Sequence, residues 1–155
     1  MSQIVSITEP LVYIFDTNVW LDWLVFSHDA VPILRDLQHA KKIRIVYTSE
    51  MKEELADVLS RPQFKLSYVA QAAALQTMAG YADEVAACAS TQVRIACKDI
   101  DDQVFIDTAL GIKAAFLLSK DKHLLVLRKR AVAHGVTICT LDAWLSAHLK
   151  NHQQN

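Results

Sequence analysis

The feature that most constrains the fold is a short apolar segment that ends abruptly in a carboxylate. Leu11–Phe15 is apolar or aromatic at every position, and Asp16, Thr17 and Asn18 follow it. A run of this kind predicts a strand that is buried on both faces. Asp16 would then lie at the carboxyl end of a strand, where open α/β sheets bind their ligands. An Asp in this position can also serve only as a turn or cap residue, and Thr17 or Asn18 could cap the following helix.

Four further segments have the composition of strands, and helical patterns separate them. These segments lie at 43–47, 93–96, 114–118 and 136–139. The longest helical pattern is an alanine-rich stretch at 67–89. This alternation predicts an α/β fold in which helices cover both faces of a mostly parallel sheet of about five strands. We expect one domain over residues 1–150 and a frayed polar tail over 151–155.

The composition limits the class of protein. Hydrophobic residues make up 52% of the 155-residue chain, which indicates either a large core or an apolar face kept for a partner. We therefore expect a homodimer. No apolar run approaches the ~20 residues of a membrane span, and the first ten residues lack the pattern of a signal peptide. Three widely spaced cysteines predict neither a disulfide framework nor a zinc site, so we expect a cytoplasmic protein.

The charged residues are clustered, although the formal net charge is only −1. Such a balance gives no overall signature of nucleic-acid binding. A basic segment nevertheless carries Lys120, Lys122, Arg128, Lys129 and Arg130. Of these, Lys120, Lys122 and Arg128 are candidate RNA phosphate contacts, and a merely solvated basic face would give the same pattern.

Acidic residues follow three of the predicted strands, and another lies early on the helix after the second strand. They are Asp16, Glu54, the cluster at 99–102 and Asp121. Because the carboxyl ends of parallel strands meet at one edge of a sheet, we expect these side chains to lie close together. Like charges at short distance resist ionisation unless a cation compensates them. Oxygen ligands suit Mg²⁺ or Mn²⁺, which support the hydrolysis of phosphodiesters. Each acid could instead cap or stabilise a helix N-terminus.

Other chemistries find less support in the sequence. The chain has only three glycines and no glycine-rich phosphate loop, which disfavours the familiar kinds of nucleotide binding. Its serines and cysteines lie in no nucleophile motif. A receiver-like phosphotransfer site would need a pair of acids after the first strand, where only Asp16 stands.

Together, these motifs resemble the PIN domain, and in particular its branch of VapC-like toxin components. The matching segments are 15–18, 49–62, 97–105, 118–125 and 135–145, within an overall resemblance from about residue 12 to residue 149. Each motif is short, but their order and spacing are fairly specific. The resemblance implies a Rossmann-like three-layer α/β/α fold and a ribonuclease that depends on Mg²⁺ or Mn²⁺.

The resemblance also implies roles for individual acids. It maps the catalytic and metal-binding acids of the family onto Asp16, Glu54, Asp102 and Asp121. Asp16 would be the central ligand, and Glu54 and Asp102 would complete a first metal site. Asp121 would help to hold a second ion or orient water.

Further positions match the family less directly. Asp99 corresponds to an additional acid that would join the metal ligands. Supporting polar positions correspond to Thr17, Asn18 and Ser119, which would orient the ligands. The branch commonly has proline where Ile100 stands, and this departure leaves the choice between Asp101 and Asp102 open.

Two functions of different classes are consistent with these features. The first is a metal-dependent endoribonuclease that acts on RNA, either as the toxin of a toxin–antitoxin pair, with an antitoxin protein as its partner, or in RNA processing. The alternative is a non-catalytic PIN-fold scaffold in a protein or RNA complex. In the alternative, the alanine-rich segment and the helix that carries Trp20 and Trp23 would bind the partner. Core packing would explain the two tryptophans equally well.

Overall fold

The protein is built on a central sheet of five strands, all parallel. The computed structural model describes residues 8–153. The strands are β1 (Leu11–Phe15), β2 (Ile43–Tyr47), β3 (Ala82–Glu84), β4 (Phe116–Leu118) and β5 (Thr137–Cys139). Their order across the sheet is β3-β2-β1-β4-β5. The prediction of a mostly parallel sheet of about five strands is therefore confirmed.

Helices connect the strands and cover the sheet. They are α1 (Thr17–Leu24), α2 (Val31–His39), α3 (Ser49–Leu59), α4 (Tyr68–Tyr81), α5 (Gln103–Gly111), α6 (Lys122–Leu125), α7 (Arg128–Val132) and α8 (Leu141–Gln153). Short 3₁₀ turns at Pro62–Phe64 and Ile100–Asp102 precede α4 and α5. Within the described part of the chain, no helix combines the length and the apolar composition needed to cross a bilayer.

The central strand explains why helices lie on both faces of the sheet. Successive residues of a strand point to opposite faces, and Tyr13, Ile14 and Phe15 of β1 are all buried. On β2, Ile45 and Val46 are buried in the same way. Both faces are therefore covered, which gives the α/β/α layers that the sequence predicts.

The third strand lies elsewhere than the sequence predicts. Residues 93–96, predicted as a strand, are outside the sheet, and Ala82–Glu84 pairs with β2 instead. The alanine-rich helix accordingly ends at Tyr81 rather than at residue 89. The β3 strand escapes prediction because it is a three-residue edge strand with two acidic residues, one of which, Asp83, pairs with Arg44 of β2 at 2.8 Å.

The backbone of residues 95–97 forms hydrogen bonds to a glutamine side chain instead of to a neighbouring strand. The Gln103 amide oxygen accepts a hydrogen bond from Cys97 N at 2.7 Å, and its nitrogen donates to Ile95 O at 2.9 Å. The same nitrogen donates to Asp107 at 2.8 Å. Because backbone groups removed from water must be paired, Gln103 fixes this segment against α5 and thereby the acidic turn that follows it.

The tryptophans agree with core packing, whereas the last helix extends further than expected. Trp20 and Trp23 are 2% and 7% exposed, so they belong to the core and not to a partner surface. The last helix continues to Gln153, so residues 151–153 are helical where a frayed tail is predicted. His148 and His152 stack one turn apart at its end, with ring centroids 4.1 Å apart. Residues 154 and 155 lie outside the described range.

Candidate active site

The site lies where the direction of strand addition reverses. From β1 the chain adds β2 and then β3 on one side, whereas β4 and β5 lie on the other side. Parallel sheets bind ligands beyond the carboxyl ends of their strands at such a reversal. Phe15 of β1 pairs with Leu118 of β4, and Asp16 N donates to Leu118 O at 3.0 Å. This register brings Asp16 beside Ser119.

Asp16 is buried at the centre of the site and is held by three donors. Its Oδ1 accepts a hydrogen bond from Val19 N at 2.9 Å, which makes Asp16 itself the cap of α1. Its Oδ2 accepts from the Ser119 hydroxyl and, at 3.1 Å, from Lys120 N. Burial raises the pKa of the Asp16 carboxyl, and these hydrogen bonds oppose the increase. The expectation that Thr17 or Asn18 caps this helix is therefore wrong.

Glu54 joins Asp16 from the second turn of α3. The Thr17 hydroxyl donates a hydrogen bond to Glu54 Oε2 at 2.7 Å. This bond spans α1 and α3 and fixes the half-buried carboxylate beside the first strand. Asn18 lies exposed at the rim, next to both residues.

Asp102 brings an uncompensated charge to the site. It is buried at the end of the Ile100–Asp102 turn, and its Oδ2 has no hydrogen-bond partner among the described residues. Burial, then the close approach of the Asp121 carboxyl, and then the charges of Asp99 and Glu54 raise the pKa of Asp102 to about 7. Asp101 is exposed, so it is Asp102 that faces the other acids.

Asp121 approaches from the end of β4. Its Oδ1 accepts a hydrogen bond from His123 N at 2.7 Å and caps α6. Its backbone N donates to the Ser119 hydroxyl oxygen at 2.9 Å. Ser119 therefore links the two acids, because the same hydroxyl group donates to Asp16.

The four acids line a single cleft of about 210 Å³, which we call the acid cleft. Its lining comprises Asp16, Thr17, Asn18, Leu21, Glu54, Val58, Arg61, Gln63, Phe64, Asp102, Phe105 and Asp121. Asp99 is outside this lining and caps the turn, accepting from Asp101 N at 3.0 Å. Sequence reasoning missed Arg61, Gln63 and Phe64, because no acidic or basic cluster marks them.

The acid cleft offers carboxylate oxygens of the kind that divalent cations prefer, although its carboxylates lie apart from one another. Within residues 8–153, no three Asp, Glu, His or Cys side chains lie at metal-holding distance from one another. The unpartnered oxygen of Asp102 and the mutual repulsion of the acids nevertheless leave negative charge without compensation. Hard cations such as Mg²⁺ and Mn²⁺ prefer oxygen ligands of this kind.

The three candidate phosphate contacts differ in their surroundings, since one is ion-paired and two are exposed. The ammonium group of Lys120 lies 2.6 and 2.8 Å from the two carboxylate oxygens of Asp22, a side chain that is only 7% exposed. Lys120 is therefore engaged with α1. Lys122 on α6 and Arg128 on α7 are exposed, and the structure gives neither an ion pair with a described residue.

Comparisons with known proteins agree with this fold. The family model described as PIN domain matches residues 12–123. A comparison with the curated proteins gave no match. Among solved structures, the chain is similar to one in the crystal structure of VapBC2 from Rickettsia felis bound to a DNA fragment from their promoter. The TM-score is 0.58 at 15% identity, and the alignment covers 83% of this chain and 97% of that chain. Since the family match spans most of its length, the chain belongs to the PIN domain family.

Proposed function

We propose that the protein is a metal-dependent endoribonuclease that hydrolyses phosphodiester bonds in RNA. The observation that carries this proposal is the meeting of Asp16, Glu54, Asp102 and Asp121, from four separate elements, in one cleft. Helix capping does not account for all four acids, because Glu54 lies within α3 and Asp102 makes no side-chain cap hydrogen bond. Asp102 adds to the argument, because a buried, unpartnered carboxylate oxygen costs stability unless a ligand uses it.

The four acids would have different roles in metal binding and catalysis. Asp16, Glu54 and Asp102 would hold a first Mg²⁺ or Mn²⁺ ion, and Asp121 would help to hold a second ion or orient the attacking water. Asp99 lies outside the cleft lining and would add a further negative charge near Asp102. A bound ion would supply Lewis acidity, which lowers the pKa of water and offsets charge on the scissile phosphate. Both oxygens of Asp16 are fixed by hydrogen bonds, so its orientation is set before any ligand arrives.

Neighbouring polar groups would orient the ligands and the RNA. Thr17 holds Glu54, Ser119 holds Asp16, and Asn18 lies at the rim of the acid cleft. Such supporting contacts set ligand geometry in metal sites. Lys122 and Arg128 would contact RNA phosphates from α6 and α7. Lys120, also a candidate phosphate contact from the sequence, would instead hold its loop in place through Asp22.

We further propose that the protein is the toxin of a toxin–antitoxin pair in the cytoplasm and forms a homodimer. The structural neighbour belongs to a complex, VapBC2, bound to promoter DNA. This supports a partner protein for the present chain, which would be its antitoxin. The outer face of α4 is exposed, with Tyr68 and Val69 88% and 80% exposed, and it offers apolar surface for association.

Metal binding and RNA cleavage test the proposal together. Calorimetry with Mn²⁺ should show binding by wild type and a loss of at least about tenfold in affinity for Asp16→Asn and Asp102→Asn, because each variant lacks a ligand charge. Asp101→Asn, the same change at the exposed neighbour, should bind like wild type. Cleavage of single-stranded RNA should follow the same order. A folded wild type that binds Mn²⁺ but cleaves no RNA in the absence of its antitoxin would favour the scaffold alternative.

A further inference from the structure

One wall of the acid cleft is aromatic and is made by a short turn. The 3₁₀ turn Pro62–Phe64 follows α3 directly. Arg61, Gln63 and Phe64 from this stretch line the acid cleft together with the four acids. The Phe64 ring is half-buried, and its centroid lies 6.4 Å from that of Phe26, at an interplanar angle of 56°. Phe26 follows α1 and is 60% exposed. Phe64 therefore links the acid cleft to the exposed Phe26, which lies outside the cleft lining, and because the rings are tilted, a base that stacks on one ring would meet the edge of the other.

The turn that presents Phe64 is already fixed. Phe64 N donates a hydrogen bond to Arg61 O at 3.1 Å, and Lys65 N donates to Pro62 O at 3.1 Å. The proline ring removes a further backbone freedom. Because the backbone is held in this way, placing a ligand on Phe64 costs little additional conformational entropy.

Nucleobases are suited to this wall. Every base has a flat π-face that stacks on aromatic side chains. The exposed Arg61 guanidinium pairs with Asp57 at 3.3 Å and borders the same cleft, where its other N–H groups can donate to a phosphate. The Gln63 amide can both donate and accept hydrogen bonds. A paired base in a duplex keeps both faces stacked and cannot reach the platform, whereas unpaired bases can be splayed onto aromatic side chains.

We propose that Phe26 and Phe64 form a stacking platform for one unpaired nucleobase adjacent to the scissile phosphodiester. This inference rests on the proposed function, since it takes the acid cleft as the place where RNA is cleaved. It adds the residues that bind a base flanking the cleavage point. It assigns no base identity.

Kinetics with Phe26→Leu provide the first test. Phe26 is the residue to change because it is largely exposed, and leucine keeps an apolar side chain while removing the aromatic face. With a single-stranded RNA 20-mer and Mn²⁺, the KM should rise by about 5- to 100-fold, the usual worth of one stacked base. The kcat should stay within about threefold of wild type, since the reacting groups are untouched. Leu149→Ala, a change at a 46% exposed apolar side chain outside the cleft lining, should leave KM unchanged.

A substrate lacking one base provides the second test. RNA with an abasic ribose beside the cleavage point should bind wild type as weakly as intact RNA binds Phe26→Leu. The two losses should not add, because each removes one side of the same contact. A hairpin that pairs the cleaved segment should be a poor substrate for wild type and should lose little more in the variant.

The outcomes separate this inference from the proposed function. If wild type cleaves the 20-mer but Phe26→Leu has an unchanged KM, or if the abasic and leucine losses simply add, the stacking platform is refuted while the nuclease stands. If wild type neither cleaves nor binds any of these RNAs, the proposed function fails and the platform fails with it. A circular dichroism spectrum identical to that of wild type secures the comparison.

Discussion

Removing the charge of Asp102 should make the metal-free protein more stable. Asp102 is buried, one of its oxygens has no partner, and three other acids face it. A folded-state pKa of about 7, against an ordinary value near 4, corresponds to about 4 kcal/mol against the ionised form. Water at the mouth of the acid cleft lowers this penalty, so we expect Asp102→Asn to add about 1–3 kcal/mol to the free energy of unfolding at pH 8.

The advantage of the variant should depend on pH in a defined direction. The raised pKa means that wild type loses stability as pH rises from about 4 to about 7, because only the unfolded chain ionises easily at this position. The gap between Asp102→Asn and wild type should therefore be full above pH 7 and should shrink as pH falls toward 4. An effect of amide packing alone would show no such trend.

Urea unfolding in EDTA measures this gap, and Asp101→Asn is the matched control. That variant has the same loss of charge one residue away but on an exposed side chain, so its stability should stay within about 0.5 kcal/mol of wild type. Adding Mn²⁺ should then stabilise wild type by about 2.7 kcal/mol at a hundredfold excess over Kd. With at least about tenfold weaker binding, the variant should gain no more than about 1.4 kcal/mol, so its advantage over wild type should shrink by about 1.3 kcal/mol or more.

Two results would refute this reasoning. If Asp102→Asn is less stable than wild type without metal, its carboxylate is compensated within the protein and has no need of a cation. If Asp101→Asn is stabilised as much as Asp102→Asn, the effect belongs to the general negative charge of the turn and not to the acid cleft.

Other predictions address the RNA path, the loop and the assembly. Alanine at both Lys122 and Arg128 should weaken RNA binding and reduce the slope of its salt dependence by about 1–2, measured by fluorescence anisotropy. Gln103→Leu removes three hydrogen bonds of 2.7–2.9 Å and should cost about 2–4 kcal/mol in urea unfolding, because it leaves backbone groups unpaired. Asp22→Asn should cost only about 1 kcal/mol, since its partner Lys120 is 44% exposed; the same urea titration checks it. Light scattering at micromolar concentration should give twice the mass of one chain.

The parts of the fold that follow local patterns could be predicted from the sequence. The bounds of β1 and β2 agree with prediction, because uninterrupted or nearly uninterrupted apolar segments of five residues have few alternatives to a buried strand. The acids could be found because Asp16, Asp102 and Asp121 directly precede helices and Glu54 lies early on α3. The shared edge of the parallel sheet explains why Asp16 and Asp121 meet, whereas Asp102 reaches the same cleft from a segment outside the sheet.

The parts that depend on distant contacts could not be predicted. The β3 strand forms by pairing with β2. Residues 93–96 form no strand, and the backbone of Ile95 and Cys97 is hydrogen-bonded to the Gln103 side chain instead. The sequence shows no ion-pair partner for Lys120, because Asp22, which pairs with it in the fold, lies 98 residues away in the chain. Phe64 gives no sign in the sequence that it lines the acid cleft, because a half-buried aromatic after a helix is ordinary in a core.

The geometry of the acids shows that a structural role and a ligand role are compatible. Asp16 caps α1 and Asp121 caps α6, which is the structural role that these acids could have in place of metal binding. These caps fix one oxygen of each carboxylate against a backbone N–H, and the second oxygen of Asp16 is held by Ser119 and Lys120 N. A helix N-terminus also lowers the cost of holding negative charge there. Under the proposed function, the caps would therefore orient Asp16 and Asp121 as ligands, and Asp102, whose Oδ2 has no partner among the described residues, would be the acid that a cation compensates.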